Sequence, residues 1–373
     1  MSNSVTDVNE AFSVIGSFGW AQIKTALPII AGGNIYISWL MCIGIFTQYK
    51  NKSPTDPVQI HSVYEEFDCT DFQANVMTSL CMLGVLLGNL IFGKVADSHG
   101  RRGTALLVLP ASILIASASA ILTYNWLTYA AFRFSMGFCI GGMTVSIAVI
   151  GFELVGSDVW GYLGIAMAAF FGMGVFFLAN IARFFLEWRT LTLVLVIPNC
   201  YLFWIIHRSP ESPRWLYSIG KVDEAEKILK DFGEQNGKTR QELDRIRLSR
   251  ARTGSGAVAA DTVVDIFKSK PVVVRLLVLL IAWFSNSLTY YGLTLGAGDL
   301  GDNVYENTMF SGLSEMPGYF LCILTMENAF LGRRRTSILF LIICGAAAMA
   351  MGSMLKTVNT RIDEVSKRDQ IGN

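Results

Sequence analysis

The sequence predicts an all-α integral membrane protein with about nine transmembrane helices, and composition, run length and charge placement support this. Of the 373 residues, 52% are hydrophobic and only 16% are charged, and the mean hydropathy is +0.45. Soluble domains carry about 25% charged residues. The charged residues here cluster between long apolar runs, which is the distribution expected of a polytopic membrane protein.

Nine apolar runs approach or exceed the roughly 20 residues that cross about 30 Å of hydrocarbon as a helix. We number them as the first to ninth spans: residues 25–46, 75–95, 104–124, 126–152, 161–181, 190–206, 272–295, 305–330 and 337–354. Small residues recur within them, as at Gly84 and Gly88. Such residues let helix backbones approach closely, so we expect a packed bundle.

Basic residues in the connections predict the orientation, since they favour the cytoplasmic side. Lys94, Arg101 and Arg102 lie between the second and third spans, and Arg333, Arg334 and Arg335 lie between the eighth and ninth. Residues 208–270 carry 13 basic and 10 acidic residues, in agreement with the same side. These connections are therefore assigned to the cytoplasm.

The predicted organisation has five parts. They are a cytoplasmic N-terminus (1–24), a six-span bundle (25–207), a cytoplasmic segment (208–270), a partial bundle of three spans (271–355) and a charged tail (356–373). Helical periodicity predicts short surface helices at 222–232 and 242–248, with a flexible connector at 253–260.

Several functions lack support in the sequence. The net charge of +1 gives no reason to expect a nucleic-acid partner. The three histidines lie far apart, and no hydrolase or metalloprotease motif occurs, so neither an enzyme nor a cofactor is predicted. Residues 296–301 fit G-x-G-x-x-G, but they follow a membrane span, which argues against a dinucleotide site.

The most specific motif is GKVADSHGRR at residues 93–102. Gly93 permits close approach, Gly100 permits a turn, and Asp97 can accept hydrogen bonds from Arg101 or from a helix start. The motif resembles the G-x-x-x-D-x-x-G-R-R/K loop of the major facilitator superfamily, where it implies a cytoplasmic gate that includes Arg102. The alternative is a surface ion pair of little energetic value.

A shorter copy of this motif, Gly332, Arg333 and Arg334, follows six spans later. This spacing resembles the internal repeat of such transporters. Taken alone, the arginines could simply anchor the topology.

Other charged residues match charged positions of the same superfamily. Arg133 lies within the fourth span and Glu153 closes it. Charged residues within spans usually face the interior, although Arg133 could alternatively extend to the outer surface. PESPRW at 210–215 resembles a signature of sugar porters and organic-ion transporters, with Glu211 and Arg214 placed to pair across the inner face.

The seventh span carries the candidate substrate site. Trp283, Asn286 and Tyr290 share one helix face, and Tyr291 follows. Aromatic residues at this spacing often serve packing alone. Glu315 in the eighth span favours a cavity, because an intramembrane carboxylate needs water or a partner. Aromatic faces with one carboxylate would attract an organic cation.

Segments such as EWR at 187–189, YYGL at 290–293 and IGSFGWAQ at 15–22 resemble the organic-ion branch of the superfamily. The resemblance implies a carrier in the lipid bilayer, by expectation the plasma membrane, that moves a small organic ion by alternating access, a cation in preference to an anion. A sugar-type carrier is the alternative substrate class.

Family members have twelve spans, whereas nine are predicted here. The expectation is therefore either a carrier that is a short form or a fragment, or a non-transporting form that associates with and regulates a full-length relative.

Overall fold

The computed structural model describes residues 7–51, 59–249, 268–295, 303–326 and 332–371. In these ranges the chain is helical apart from short connections, one of which includes a β-bridge between His61 and Glu187. The chain divides into two compact units, Met1–Met316 and Pro317–Asn373. The predicted connector at 253–260 and the segment 296–301 lie outside the described residues.

Six long helices of the first unit correspond to the first six predicted spans. They are Trp20–Cys42, which continues as Gly44–Thr47, then Asp71–His99, Arg101–Leu122, Trp126–Glu153, Trp160–Ala182 and Trp188–Arg208. Polar caps fix two of their starts, because Thr70 accepts from the Gln73 backbone N–H and Asn125 accepts from that of Thr128.

The remaining three predicted spans are also helical. The seventh is Lys270–Leu295, the eighth is Val304–Met326, and the ninth lies within the 40-residue helix Gly332–Ile371. In the described part of the chain, eight helices are long and apolar enough to cross a membrane; the eighth span, which carries Glu306 and Glu315, falls outside that set. Its polar residues lower its hydropathy rather than its helicity.

The second and fourth spans approach each other at four glycines. A Cβ atom at Gly84 or Gly88 would overlap the backbone of the fourth span, and one at Gly137 or Gly141 would overlap the backbone of the second. Because the contacts are reciprocal, the two helices lie as close as their backbones allow. The small-residue packing predicted for Gly84 and Gly88 is therefore present.

The segment predicted to be cytoplasmic contains helices Pro213–Ser218, Val222–Gln235 and Arg240–Leu243. An amphipathic N-terminal helix, Val8–Ile15, which the sequence pattern did not predict, packs against them through Val8, Ala11, Phe12 and Ile15. The helix predicted at 242–248 is wrong beyond its first turn. Ile246 and Leu248 are buried in non-helical chain, and the Leu248 N–H donates to Glu226 at 2.7 Å.

Candidate functional site

The connection between the second and third spans is a tight turn built on Gly100. Its φ of +91° favours glycine, and a Cβ atom there would strike the Glu211 carboxylate. That carboxylate accepts the backbone N–H groups of Arg101 at 3.1 Å and Arg102 at 3.0 Å. Glu211, which lies in the PESPRW segment, thus caps the N-terminal, positive end of the third-span helix.

Arg101 joins two carboxylates at the end of the bundle that is predicted to be cytoplasmic. Its guanidinium lies 3.1 Å from Asp97 and 3.0 Å from Glu153 at the end of the fourth span. The Arg101 and Glu153 side chains are only 12% and 17% exposed, whereas Asp97 is 75% exposed. The shielded Arg101–Glu153 pair therefore carries most of the electrostatic interaction, and Asp97 is the accessible acid of the motif.

Arg102 binds the end of another helix. Its guanidinium donates to the Ile206 carbonyl at 3.2 Å and to the His207 carbonyl at 2.6 Å, in the last turn of the sixth span. A cation is favourable there because the last carbonyls of a helix lack intrahelical partners. The two arginines of the motif thus tie the third span to the fourth and the sixth.

Arg214 and Glu211 do not pair with each other, in contrast to the sequence-based expectation. Arg214 donates to the Asn9 side chain and, at 3.1 Å, to the Val155 carbonyl, and its guanidinium lies over the rings of Phe12 and Trp160. Burial lowers the pKa of Arg214, and the nearby Glu153 and Asp7 carboxylates oppose that shift.

Gly93 and the second copy of the motif form fewer contacts. A Cβ atom at Gly93 would meet no described atom within 4 Å, so the close approach predicted there is not formed in this structure. In the second unit, Gly332 has a φ of +60° and begins a helix whose first residues include the exposed Arg333 and Arg334.

Arg133 lies in the bundle interior and does not extend to the surface. Its side chain is 1% exposed and donates to the Leu40 carbonyl at 2.9 Å. Leu40 lies in the last turn of the Trp20–Cys42 helix, where carbonyl groups need partners. Arg133 therefore connects the fourth span to the end of the first.

The predicted substrate face is only partly assembled. The Tyr290 hydroxyl donates to the Glu315 carboxylate at 2.9 Å, which joins the seventh and eighth spans. The neighbouring Tyr291 hydroxyl lies 3.3 Å from the Met41 sulfur of the first span. Trp283 is 68% exposed and Asn286 is also exposed, so Tyr290 is the member of this face that meets the carboxylate.

The fifth span supplies further residues near Glu315 that sequence reasoning did not assign to the site. The Phe171 ring stands edge-on to Tyr290, with 6.4 Å between the ring centres. Gly172 lies beside Glu315, and a Cβ atom at Gly312 would overlap the backbone of the fifth span. This close crossing of the fifth and eighth spans brings the Glu315 carboxylate to the Phe171 and Tyr290 rings. In the sequence, the glycines at 172 and 312 were the feature that could have indicated such a crossing.

Two polar networks outside the predicted site also connect distant parts of the chain. Between the first and second spans, Glu66 accepts from Arg189 and, at 2.7 Å, from the Trp188 indole. At the start of the first span, Asn236 accepts from the Ala21 N–H at 2.9 Å and donates to the Ile15 carbonyl and the Gln22 side chain. The segments 187–189 and 15–22 were singled out from the sequence, but their distant partners were not.

The comparisons with known proteins agree with this architecture. Residues 26–367 match the family model described as "Sugar (and other) transporter". The chain is 32% identical over 363 residues to "Solute carrier family 22 member 15-like" of Xenopus laevis, which covers 92% of this chain and 73% of that protein. It is 35% identical to the "Organic cation transporter protein" of Drosophila melanogaster, over 75% of this chain and 51% of that protein.

A third relative is "Organic anion transporter 3" of Homo sapiens, which is 31% identical over 80% of this chain and 56% of that protein. The chain thus spans about half the length of the cation and anion transporters it matches. Among solved structures, the xylose transporter XylE from E. coli, in a partially occluded inward-open conformation, has a TM-score of 0.57. The match covers 83% of this chain and 71% of XylE at 18% identity, and it supports the fold alone.

The family match covers most of the chain, and the eight apolar helices found among the described residues and the solute carrier relatives agree with it. The chain is therefore a multi-pass membrane protein that belongs to the sugar (and other) transporter family of the major facilitator superfamily and, within it, to solute carrier family 22.

Proposed function

We propose that this chain carries a small organic ion by alternating access, and that it prefers a cation to an anion. The observation that carries the proposal is the Tyr290–Glu315 hydrogen bond beside Phe171. A carboxylate in an apolar environment attracts positive charge, and aromatic faces add cation–π attraction. Relatives named for cation and for anion transport both match, so the preference rests on these side chains.

The proposed site consists of Glu315, Tyr290 and Tyr291, with Phe171 added from the structure. Trp283 and Asn286 extend it along the seventh span. The proposed gate consists of Gly93, Asp97, Gly100, Arg101 and Arg102, supported by Arg133, Glu153, Glu211 and Arg214 and repeated at Gly332, Arg333 and Arg334. We also propose that residues 25–207 belong to the first bundle, that 208–270 form a cytoplasmic connection, and that 271–355 belong to the second bundle.

The test is uptake into liposomes that contain the purified chain, with tetraethylammonium, hippurate and xylose as the cation, anion and neutral sugar. Glu315→Gln keeps the side-chain shape and removes the charge. We expect cation affinity to fall about 10-fold, equivalent to ~1.4 kcal/mol, with sugar uptake unchanged. Trp283→Ala should weaken cation binding by about 1 kcal/mol, because it removes a cation–π contact between the ring and the bound cation.

Each alternative gives a distinct result. Uptake of xylose without uptake of tetraethylammonium by the unmodified chain would favour a sugar-type carrier, which the shared PESPRW segment and the family description support. Unchanged cation affinity in both variants would show that Glu315 and Trp283 serve helix packing and do not bind the substrate. A third outcome is that the chain alone shows no transport and yet co-purifies with a full-length relative and alters the uptake by that relative. That result would support the regulatory form instead.

A further inference from the structure

Two adjoining hollows line the outside of the bundle where the first, fifth and sixth spans meet. The larger, about 520 Å³, is mainly apolar and is bordered by Gly32, Ile35, Ile181 and Leu202 among others. The smaller, about 180 Å³, lies nearer the cytoplasmic ends of the first and sixth spans and includes Lys24 and Arg208. Pro28, Tyr201 and Ile205 border both hollows, so the two form one continuous groove.

The cytoplasmic end of this groove is positively charged. Lys24 and Arg208 are exposed, and among the described residues neither forms an ion pair with a carboxylate. The Lys24 ammonium lies 5.0 Å from the centre of the Trp20 ring, and the Arg208 guanidinium 5.4 Å from that of Trp204. Tryptophan beside basic residues is typical of the membrane–water interface.

The apolar part of the groove continues from this interface into the hydrocarbon region. Along the first span it extends from Lys24 to Trp39, which is about 22 Å at the helical rise of 1.5 Å per residue. One leaflet of a bilayer contributes about 15 Å of hydrocarbon. The groove is therefore long enough for an acyl chain whose headgroup lies at the basic end. The exposed faces of Phe177 and Tyr201 leave its side open.

We propose that this groove binds one anionic phospholipid of the cytoplasmic leaflet. The phosphate and its adjoining acidic headgroup lie between Lys24 and Arg208, and one acyl chain lies along Gly32, Ile35 and Ile181. A zwitterionic lipid fits the apolar part equally well but lacks the net negative charge that the two cations attract. The site is distinct from the Glu315 region and does not depend on the proposed substrate.

The experiment is lipid binding to the full chain in detergent, measured by native mass spectrometry with phosphatidylserine or phosphatidylcholine. We expect one phosphatidylserine to bind more tightly than phosphatidylcholine. The double variant Lys24→Gln/Arg208→Gln should weaken phosphatidylserine binding about 25-fold, since each basic residue near an anionic surface contributes about fivefold. Ile181→Trp, which fills the groove without altering charge, should weaken binding of both lipids.

A matched control is Lys227→Gln/Arg240→Gln, which removes two exposed cations from the cytoplasmic helices and should leave binding unchanged. Glycerophosphoserine, the headgroup without acyl chains, should compete only weakly. Equal binding of the two lipids would overturn the proposal, as would equal losses in the two double variants. Full competition by glycerophosphoserine would show a headgroup site without a lipid groove and would also overturn it. The comparison of lipids on the unmodified chain remains decisive even if a variant fails to fold.

Discussion

Arg101 and Glu153 form an ion pair at 3.0 Å between the start of the third span and the end of the fourth, and both side chains are largely shielded from solvent. Asp97 contacts the same guanidinium from a mostly exposed position. The two acids that surround Arg101 therefore differ in environment, and this difference allows structural and gating roles to be tested separately.

Glu153→Gln should lower the stability of the detergent-solubilised protein by about 2 kcal/mol, because it leaves the shielded Arg101 guanidinium with a weaker partner. Asp97→Asn should barely change the melting temperature but should slow transport in liposomes or in a full-length version, if Asp97 belongs to the gate. Asp158→Asn, an exposed acid just beyond the fourth span, is the control. Normal turnover of Asp97→Asn at normal expression would contradict the gate assignment.

Acid should destabilise the connection between the first and second spans through Glu66. Burial raises the pKa of Glu66, but hydrogen bonds from Arg189 and Trp188 and the Arg189 charge outweigh burial, so its pKa lies below the ordinary 4.5. A depressed folded-state pKa means that Glu66 stabilises the fold above pH 4.5 and loses this effect as pH falls through the folded value.

The measurement is melting temperature against pH below 5. Glu66→Gln should reduce the steepness of the decline, whereas Glu65→Gln, an exposed acid in the same short helix, should retain it. Identical pH profiles for Glu66→Gln and the unmodified protein would exclude this contribution.

Tyr290→Phe should weaken binding of an organic cation about fivefold, because it removes a hydrogen bond worth ~1 kcal/mol that orients the Glu315 carboxylate. Tyr291→Phe provides the comparison, since its hydroxyl contacts only a methionine sulfur among the partners the structure gives it. The readout is competition by tetraethylammonium in equilibrium binding. Equal losses in the two variants would indicate general packing rather than orientation of Glu315.

Asn236→Ala should loosen the N-terminal helix Val8–Ile15. The amide forms three hydrogen bonds to the segment 15–22, and their loss should cost about 2 kcal/mol. Hydrogen exchange should accelerate in that helix and at the start of the first span. Gln235→Ala alters the exposed neighbouring residue and should have little effect. Unchanged protection in Asn236→Ala would mean that the apolar face of the helix is sufficient to hold it.

Much of the fold was predictable because bilayer thickness sets the length of an apolar run. The first six predicted spans lie within a few residues of their helices for this reason. Predictions failed where distance in sequence separates partners. Nothing local indicates that Asn236 meets Ala21, or that Glu211 caps the helix that begins at Arg101.

The candidate site shows the same limit. Helical spacing predicts that Trp283, Asn286 and Tyr290 share one face, but periodicity does not reveal which residue of a face meets a neighbouring helix. In the structure, Tyr290 is the residue that contacts Glu315, and Phe171 of the fifth span packs against Tyr290. The fifth span contains no charged residue that would have drawn attention to it in the sequence.

The glycines shared by the second and fourth spans have a consequence for how this sequence can vary. At Gly84, Gly88, Gly137 and Gly141 an added methyl group meets main-chain atoms, which no change of side chain elsewhere can remove. Second-site suppressors should therefore be rare for alanine at these four positions. Gly142 differs because its added methyl would meet the side chains of Phe92 and Val108, and a smaller residue at position 92 or 108 can restore space there. A saturation library should separate the two kinds of glycine by whether a compensating substitution is ever recovered.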